Sequence, residues 1–572
     1  MTALADVSLG FRQAYLDHER LSAQLQAWAG AFPAVCRLRS LATTPEGRDV
    51  WILTIDAEPE RLRPAVWVGG NIHAIELAGS SVALAIAEDM LRLHLDGVDP
   101  FDLPAPIAAR LREVVFHIVP RISPDGAEHV LHSGRFVRSV PRDQRIDRGQ
   151  PRWITGDIDG DGQTRVMRVV DPGGELVEAP EFPGLLVERT LEDTGPFYKL
   201  YPEGHIEHFD GKRIPTPMFL GDNPIDLNRN FPWTWAPHHE QPGAGPYAAS
   251  EPEVRGVVEF ATAHPEIFAW LDLHTFGGVV IRPYGHAPDH KLHPEDLAVF
   301  RQLEAWMGEH TGYPMVSGYE EYLEVPDKPL RGDLSDYAYN QRGALGYVVE
   351  LWDLFKRLDM PRPDKFVELY ERVSRADLVK LAWWDRDENG GQMFPPWRPF
   401  DHPQLGPVEL GGIDPRIGIW NPPLHELREM CAAQAHAFLH VAAMAPRLSV
   451  GEIRREVLTG GLTRIDVAIR NDGYLGSYGL PSARQLDFNE PVYATARTEG
   501  CALVDAGAGH QVLGHLDGWG RGLHTGANLP ANPGTRGTSH VGWASYLVRG
   551  EGTLELRAGS CRAGFVVTRV TV

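Results

Sequence analysis

Cysteine is scarce in this chain, with four residues in 572 at positions 36, 431, 501 and 561. They are too few and too scattered for a disulfide framework or a zinc ribbon. Cys501 with Cys561 is the one pair that could be bridged, and free buried thiols are the expectation for the rest. Basic charge is also in deficit: 55 Lys and Arg face 77 Asp and Glu, for a net charge of −22. Such a chain repels phosphate backbones, and no Lys/Arg run reverses this locally, so nucleic acid is not expected as a partner. Long apolar runs are missing as well. The most apolar helix-like stretch, 77–93, is broken by Glu88, Asp89 and Arg92, so no membrane span is expected. The opening residues Met1-Thr2-Ala3-Leu4-Ala5-Asp6 lack the basic and apolar regions of a secretory signal, and the expectation is a soluble, cytoplasmic protein. H-E-x-x-H, G-x-S-x-G and P-loop sequences are absent, which removes the usual anchors of zincins, serine hydrolases and nucleotide triphosphatases. What is present, 43% apolar and 23% charged residues, is ordinary for a chain that buries a sizeable core.

From about residue 61 to 445, short apolar runs alternate with segments of helical period. Runs 65–69, 114–119, 267–273 and 346–351 read as buried strands, and 76–93, 251–263, 296–311, 334–341 and 365–383 as helices. The pattern predicts an α/β fold with a mostly parallel mixed sheet flanked by helices. The Gly-, Pro- and Asp-rich tract at about 140–222 reads as an irregular insertion on the rim of that fold. Composition changes after a last helical stretch, 424–444. Residues 447–572 hold 21 glycines and no lysine, and Ile465, Val467 and Ile469 alternate with polar positions. A C-terminal all-β sandwich is expected at 446–572, beside the α/β domain at 1–445.

The strongest local signal is Gly69-Gly70-Asn71-Ile72-His73-Ala74-Ile75-Glu76, just after the first predicted strand. A His and a Glu three apart at a strand-to-helix turn can converge on one ion, and imidazole with carboxylate is the donor set of catalytic zinc. The third ligand can be His274, at the end of the strand Trp270-Leu271-Asp272-Leu273, since ligands of open α/β sheets gather at that edge. Two His and one Glu leave a fourth position for water, the arrangement of a hydrolytic site. A histidine satisfied inside the core is the simpler reading of His274 alone. His205-Ile206-Glu207-His208 and His129-Val130-Leu131-His132 have ligand-like spacing too, but neither follows a clear strand.

Three more segments bear on the site: Pro124-Asp125-Gly126 with Arg138 twelve residues on, Asp226-Leu227-Asn228-Arg229-Asn230-Phe231, and Asp336-Tyr337-Ala338-Tyr339-Asn340-Gln341 ahead of Glu350. With H-x-x-E and the later His, this ordered set resembles the zinc carboxypeptidases of the carboxypeptidase A type over roughly residues 41–353. The resemblance implies one zinc per chain on His73, Glu76 and His274, and Glu350 as the general base that activates a water. It implies Arg138 as oxyanion stabiliser, and Asn228 and Arg229 as the grip on the free C-terminal carboxylate of a peptide substrate. Physical chemistry agrees, because a carboxylate can accept a proton from water and a guanidinium can hold a carboxylate through two parallel bonds.

The sequence also departs from the family. Lys328 stands where a substrate-capping tyrosine is usual, with Tyr322 and Tyr319 upstream. Ser335 falls at the pocket position that usually sets side-chain preference, flanked by Asp333 and Asp336. Asp333 can favour a basic terminal residue, although an acid that opens a helix also stabilises its N-terminus. The long insertion and the lack of an evident propeptide suggest a bacterial-type, non-zymogen relative. Within the insertion, Asp157, Asp159 and Asp161 read as half of a calcium loop, with Arg168 in place of the twelfth-position Glu. Two rival functions are a zinc-dependent N-acyl amino acid deacylase of the related branch and a non-catalytic peptide- or glycan-binding protein.

Overall fold

The computed structural model describes residues 3–95, 103–145, 147–217, 225–323, 325, 328–520 and 537–572. Its centre is a sheet of eight strands: β1 (Cys36–Thr43), β2 (Asp49–Ile55), β3 (Ala65–Gly70), β4 (Val115–Val119), β5 (Ile267–Thr275), β6 (Val279–Arg282), β7 (Met315–Ser317) and β8 (Leu345–Leu351). Their order is β1-β2-β4-β3-β5-β8-β6-β7. The central run β4-β3-β5-β8 is parallel, while β1-β2, β2-β4 and β8-β6 are antiparallel. Every residue of β3, β4, β5 and β8 is buried, as befits strands covered on both faces. These are the four predicted strands, with ends within two residues of expectation. The β1-β2 hairpin escaped sequence reading because β1 is mostly exposed and has no apolar run.

Both faces of the sheet carry a core. On one side Val66 and Val68 pack with Leu271, Ile86 and Phe438; on the other, Ala65 and Trp67 pack with Trp270, Phe260 and Tyr337. The alternation along β3 is the period-two rule applied to a strand with two apolar faces. The larger helices are α1 (His18–Ala31), α2 (Ala78–Leu95), α3 (Pro124–Ser133), α4 (Pro252–Ala263), α5 (Pro294–Thr311), α6 (Leu334–Asn340) and α7 (Leu424–Ala442). α2 is buried nearly all round, which explains its apolar length without a membrane. Among the described residues no helix is long and apolar enough to cross one. The predicted helix 365–383 is in fact two, a turn at Glu368–Glu371 and a helix at Arg375–Glu388. The second starts afresh because Ser374 and Asp377 form a capping box.

The insertion is more ordered than its composition suggested. It holds six short strands, between Arg152 and Glu207. Four of them join Arg398–His402 and Gly406–Gly411 in a six-stranded sheet, with Trp153, Met167, Tyr201, Val408 and Leu410 in one small core. Strands of three to six residues are too short for their alternation to register in sequence. The chain ends in two four-stranded antiparallel sheets within residues 448–571, and Ile465, Val467 and Ile469 face Ala494, Leu554 and Leu556 across a shared core. All four cysteines are free; Cys501 and Cys561 each lie against a backbone carbonyl, Thr553 and Phe488 respectively.

Candidate metal and peptide site

The Gly69–Glu76 segment is shaped by two close approaches. A Cβ on Gly70 would sit 2.7 Å from the Gly79 carbonyl oxygen, and one on Gly79 would sit 2.9 Å from that of Leu273. Only glycine lets α2 settle this tightly onto β3 and β5. Asn71 then turns the chain in the left-handed region, at φ 55°, and its side-chain amide donates to the carbonyls of His73 and Ala74. Asn tolerates that conformation better than most residues. The result is a turn, with the helix beginning at Ala78 rather than at Glu76 as expected, and it aims His73 and Glu76 at the end of β5.

There the predicted trio meets. His73 Nδ1 lies 2.8 Å from Glu76 Oε1, His274 Nδ1 lies 3.0 Å from Glu76 Oε2, and the two Nδ1 atoms are 3.0 Å apart. Behind them, His73 Nε2 contacts Asp226 Oδ1 at 3.2 Å and His274 Nε2 contacts Asp272 Oδ2 at 2.9 Å. A carboxylate behind each ring accepts a hydrogen bond from Nε2–H and so leaves the Nδ1 lone pair facing forward. Three Lewis bases thus converge on one point, an arrangement that repels itself unless a cation sits among them. The donor set fits zinc, and one proton can stand in for it. Against the pull of burial, Asp272 and Glu76 hold the His274 imidazole well above its usual range. Against the upward push of burial, His73 and His274 hold Glu76 down at about 2.

β5 and β8 run side by side with His274 opposite Glu350. Burial pushes the Glu350 carboxyl up to about 8, with the Glu76 charge adding to the shift and that of His274 opposing it. Tyr322 Oη donates to Glu350 Oε1 at 3.1 Å, and Tyr370 Oη lies 3.3 Å beyond. Arg138 reaches in from the segment after α3, 3.2 Å from Asp226 and 3.5 Å from Glu76. Asp226, held well below the carboxylate range against burial by Arg138, then His73 and Arg229, also caps the turn Leu227–Arg229. In that turn Arg229 Nη1 donates to the Asn228 carbonyl at 2.6 Å, and Asn228 Oδ1 accepts from Leu334 N at the start of α6. Ser335 Oγ donates to Asp333 Oδ1. All eight predicted site residues line one cleft of about 430 Å³, large enough for the end of a peptide.

The other candidates stay apart from it. His129 pairs with Glu46 and His132 with Glu128, while Glu207 and His208 form an exposed group with Asp147. Asp157, Asp159 and Asp161 do cluster, but Arg398 bridges Asp159 and Asp161 and Arg165 pairs with Asp161. Guanidinium charge already serves those carboxylates, and Arg168 turns away to Glu178 and Glu409. Nothing in this geometry supports calcium. Sequence reasoning missed the supporting Asp272, Tyr322 as partner of Glu350, and Tyr370. A lone carboxylate inside the apolar run Trp270–Leu273 was the available signal for Asp272; Tyr370 offered none.

The zinc carboxypeptidase family pattern matches residues 21–159 and 221–371, together just over half of the chain. The chain belongs to the zinc carboxypeptidase family. The stretch between the two matched segments corresponds to the insertion, and residues 447–571 match a domain of unknown function. Relatives of this zinc carboxypeptidase family member include carboxypeptidase A4 of Mus musculus, 21% identical over 280 residues, or 48% of this chain and 49% of the relative. Another is the inactive metallocarboxypeptidase ECM14 of Ajellomyces dermatitidis, 27% identical over 137 residues, 23% of this chain and 22% of that one. The chain spans half or less of the length of these relatives. Among solved structures, thrombin activatable fibrinolysis inhibitor is 14% identical with a TM-score of 0.42, covering 77% of this chain and 76% of that one.

Proposed function

We propose that this protein is a zinc-dependent metallocarboxypeptidase that hydrolyses the C-terminal bond of peptides. The observation that carries the proposal is the convergence of His73, Glu76 and His274 on one point, with Glu350 on the neighbouring strand and Arg229 in the same cleft. In this reading His73, Glu76 and His274 hold the zinc. The ion, when bound, supplies a Lewis acid and lowers the pKa of water toward about 7. Glu350, whose carboxyl a dication held beside it would draw back to the ionised form, accepts the proton of the attacking water and returns it to the leaving amine, with Tyr322 keeping its carboxylate oriented. Arg138 offers its guanidinium to the developing oxyanion. Arg229 and Asn228 hold the substrate's terminal carboxylate, a charge-assisted pairing that a neutral chain end cannot make. We propose further that residues 1–445 form the catalytic region and 446–572 a β-sandwich region packed against it.

One peptide compared as free acid and as C-terminal amide tests the reading. The acid should be cleaved about 100-fold faster, the value of roughly 2.7 kcal/mol for an unmade charged pairing. Equal rates would reject the exopeptidase assignment and favour an endopeptidase or amidase. Since one similar protein is named inactive, a non-catalytic peptide-binding role is the second reading. It is tested by Glu350→Gln. A peptidase variant of this kind should keep its zinc and lose about 10²–10⁴-fold in kcat, whereas a binding protein would show no hydrolysis in either form.

A further inference from the structure

A second cluster of metal-type donors lies outside the cleft, where α5 packs on α7. His310 stands near the end of α5, and His436 and His440 are one turn apart on the same face of α7. The ring of His310 is 4.4 Å from those of both His436 and His440, which are 4.9 Å from each other. One ring nitrogen from each of the three lies within 4.8 Å of the others, and all three side chains are half-buried. Nδ1 of His440 lies 2.9 Å from the carbonyl of His436. Donating there places its proton on Nδ1 and leaves the Nε2 lone pair available.

We propose that His310, His436 and His440 form a second metal site, one that takes a borderline transition cation such as Zn²⁺, Co²⁺ or Ni²⁺ and joins α5 to α7. Three imidazoles without a carboxylate select these ions over Ca²⁺ and Mg²⁺, which require oxygen donors. Metal–nitrogen bonds of about 2.0–2.1 Å in tetrahedral geometry bring the nitrogens to about 3.4 Å from one another, so no pair need close by more than about 1.4 Å. Half-buried rings on two helix surfaces have that torsional freedom, and their partial exposure leaves the fourth position to water. The two helices stand behind the catalytic cleft. α5 runs on into β7 and then to Tyr322, while α7 follows Asn421, whose side chain bonds to Ile75 and Ala78 beside the metal-binding turn. A cation here fastens two supports of that cleft without touching it.

The test uses the full chain, stripped with a chelator and reloaded with Ni²⁺ or Zn²⁺, with bound ions counted after gel filtration. Wild type should hold two ions, and both His310→Gln and the double variant His436→Gln/His440→Gln should hold one. His274→Ala, which disables the other site, should also hold one and should keep the rise in Tm on adding Ni²⁺, about 3 °C or more. That rise should vanish when either cluster change is combined with His274→Ala, and the cluster variants alone should keep a metal-free Tm and peptide hydrolysis close to wild type. Equal ion counts in wild type and the cluster variants, or an equal Tm response in His274→Ala with and without a cluster change, would overturn the second site. Loss of the ion from His274→Ala alone, with the cluster ion retained, confirms that the two sites are independent.

Discussion

Asp333 sits in the peptide cleft with one carboxylate oxygen used and one idle. Oδ1 caps α6 and accepts from Ser335, while Oδ2, in a residue only 6% exposed, has no hydrogen-bond partner among the described residues. A buried carboxylate oxygen without a partner is costly, and a cationic group brought by the substrate would relieve it. Peptides ending in Lys or Arg should therefore be cleaved about tenfold or more faster than those ending in Leu. Asp333→Asn, which keeps the cap, should remove that difference. A preference for Leu in the wild type would show that the free oxygen is served by water. This residue also marks the limit of sequence reading. The residues proposed as ligands, base and carboxylate grip were legible because each has a fixed chemistry at a fixed place in an ordered set of motifs. The acid at 333 was visible, yet sequence could not tell a helix cap from a specificity residue. The structure gives the cap to Oδ1 and leaves Oδ2 for the predicted selectivity.

Among the elements, α3 shows how a short motif positions a distant group. Pro124 fits the first turn, where its missing N–H costs nothing. Asp125 accepts from Thr44 and Arg48. Gly126 is packed so closely that an added Cβ would fall 2.0 Å from the Ser139 carbonyl oxygen and 2.6 Å from the Ala74 Cβ. That carbonyl belongs to the segment carrying Arg138, whose own carbonyl accepts from Ala74 N at 2.7 Å. Gly126→Ala should destabilise the fold by about 1–3 kcal/mol. It should also lower kcat by about 10-fold or more by moving Arg138 away from the reacting bond. Unchanged kcat with unchanged Tm would mean that the segment relaxes freely. Elements with two buried faces or a strong helical period were readable in advance. The insertion was not, because its sheet is assembled from strands of a few residues plus two contributed from Arg398 onward, a pairing that no local pattern encodes.

At the scale of the whole molecule, the two regions read separately from sequence are joined by more than a linker. Tyr474, Leu475, Leu480 and Ala483, all beyond residue 446, belong to the main core together with α2 and α7. Arg562, with none of its surface exposed, donates to the carbonyls of Ile267, Arg342 and Gly343. A chain truncated after Ala445 should therefore be insoluble or aggregate, since an opened core exposes apolar surface. A soluble, active truncation would show that the core closes without the C-terminal sheets. The three carbonyls held by Arg562 sit where β5 begins and just before β8. The far ends of the same two strands present His274 and Glu350. Two side chains at the tips of paired prongs keep their spacing best when the prongs are also held at the root, and here one guanidinium from the C-terminal sheets grips both. The pairing on which the proposed chemistry depends is thus braced from the opposite ends of its two strands, by a residue far along the chain from the cleft.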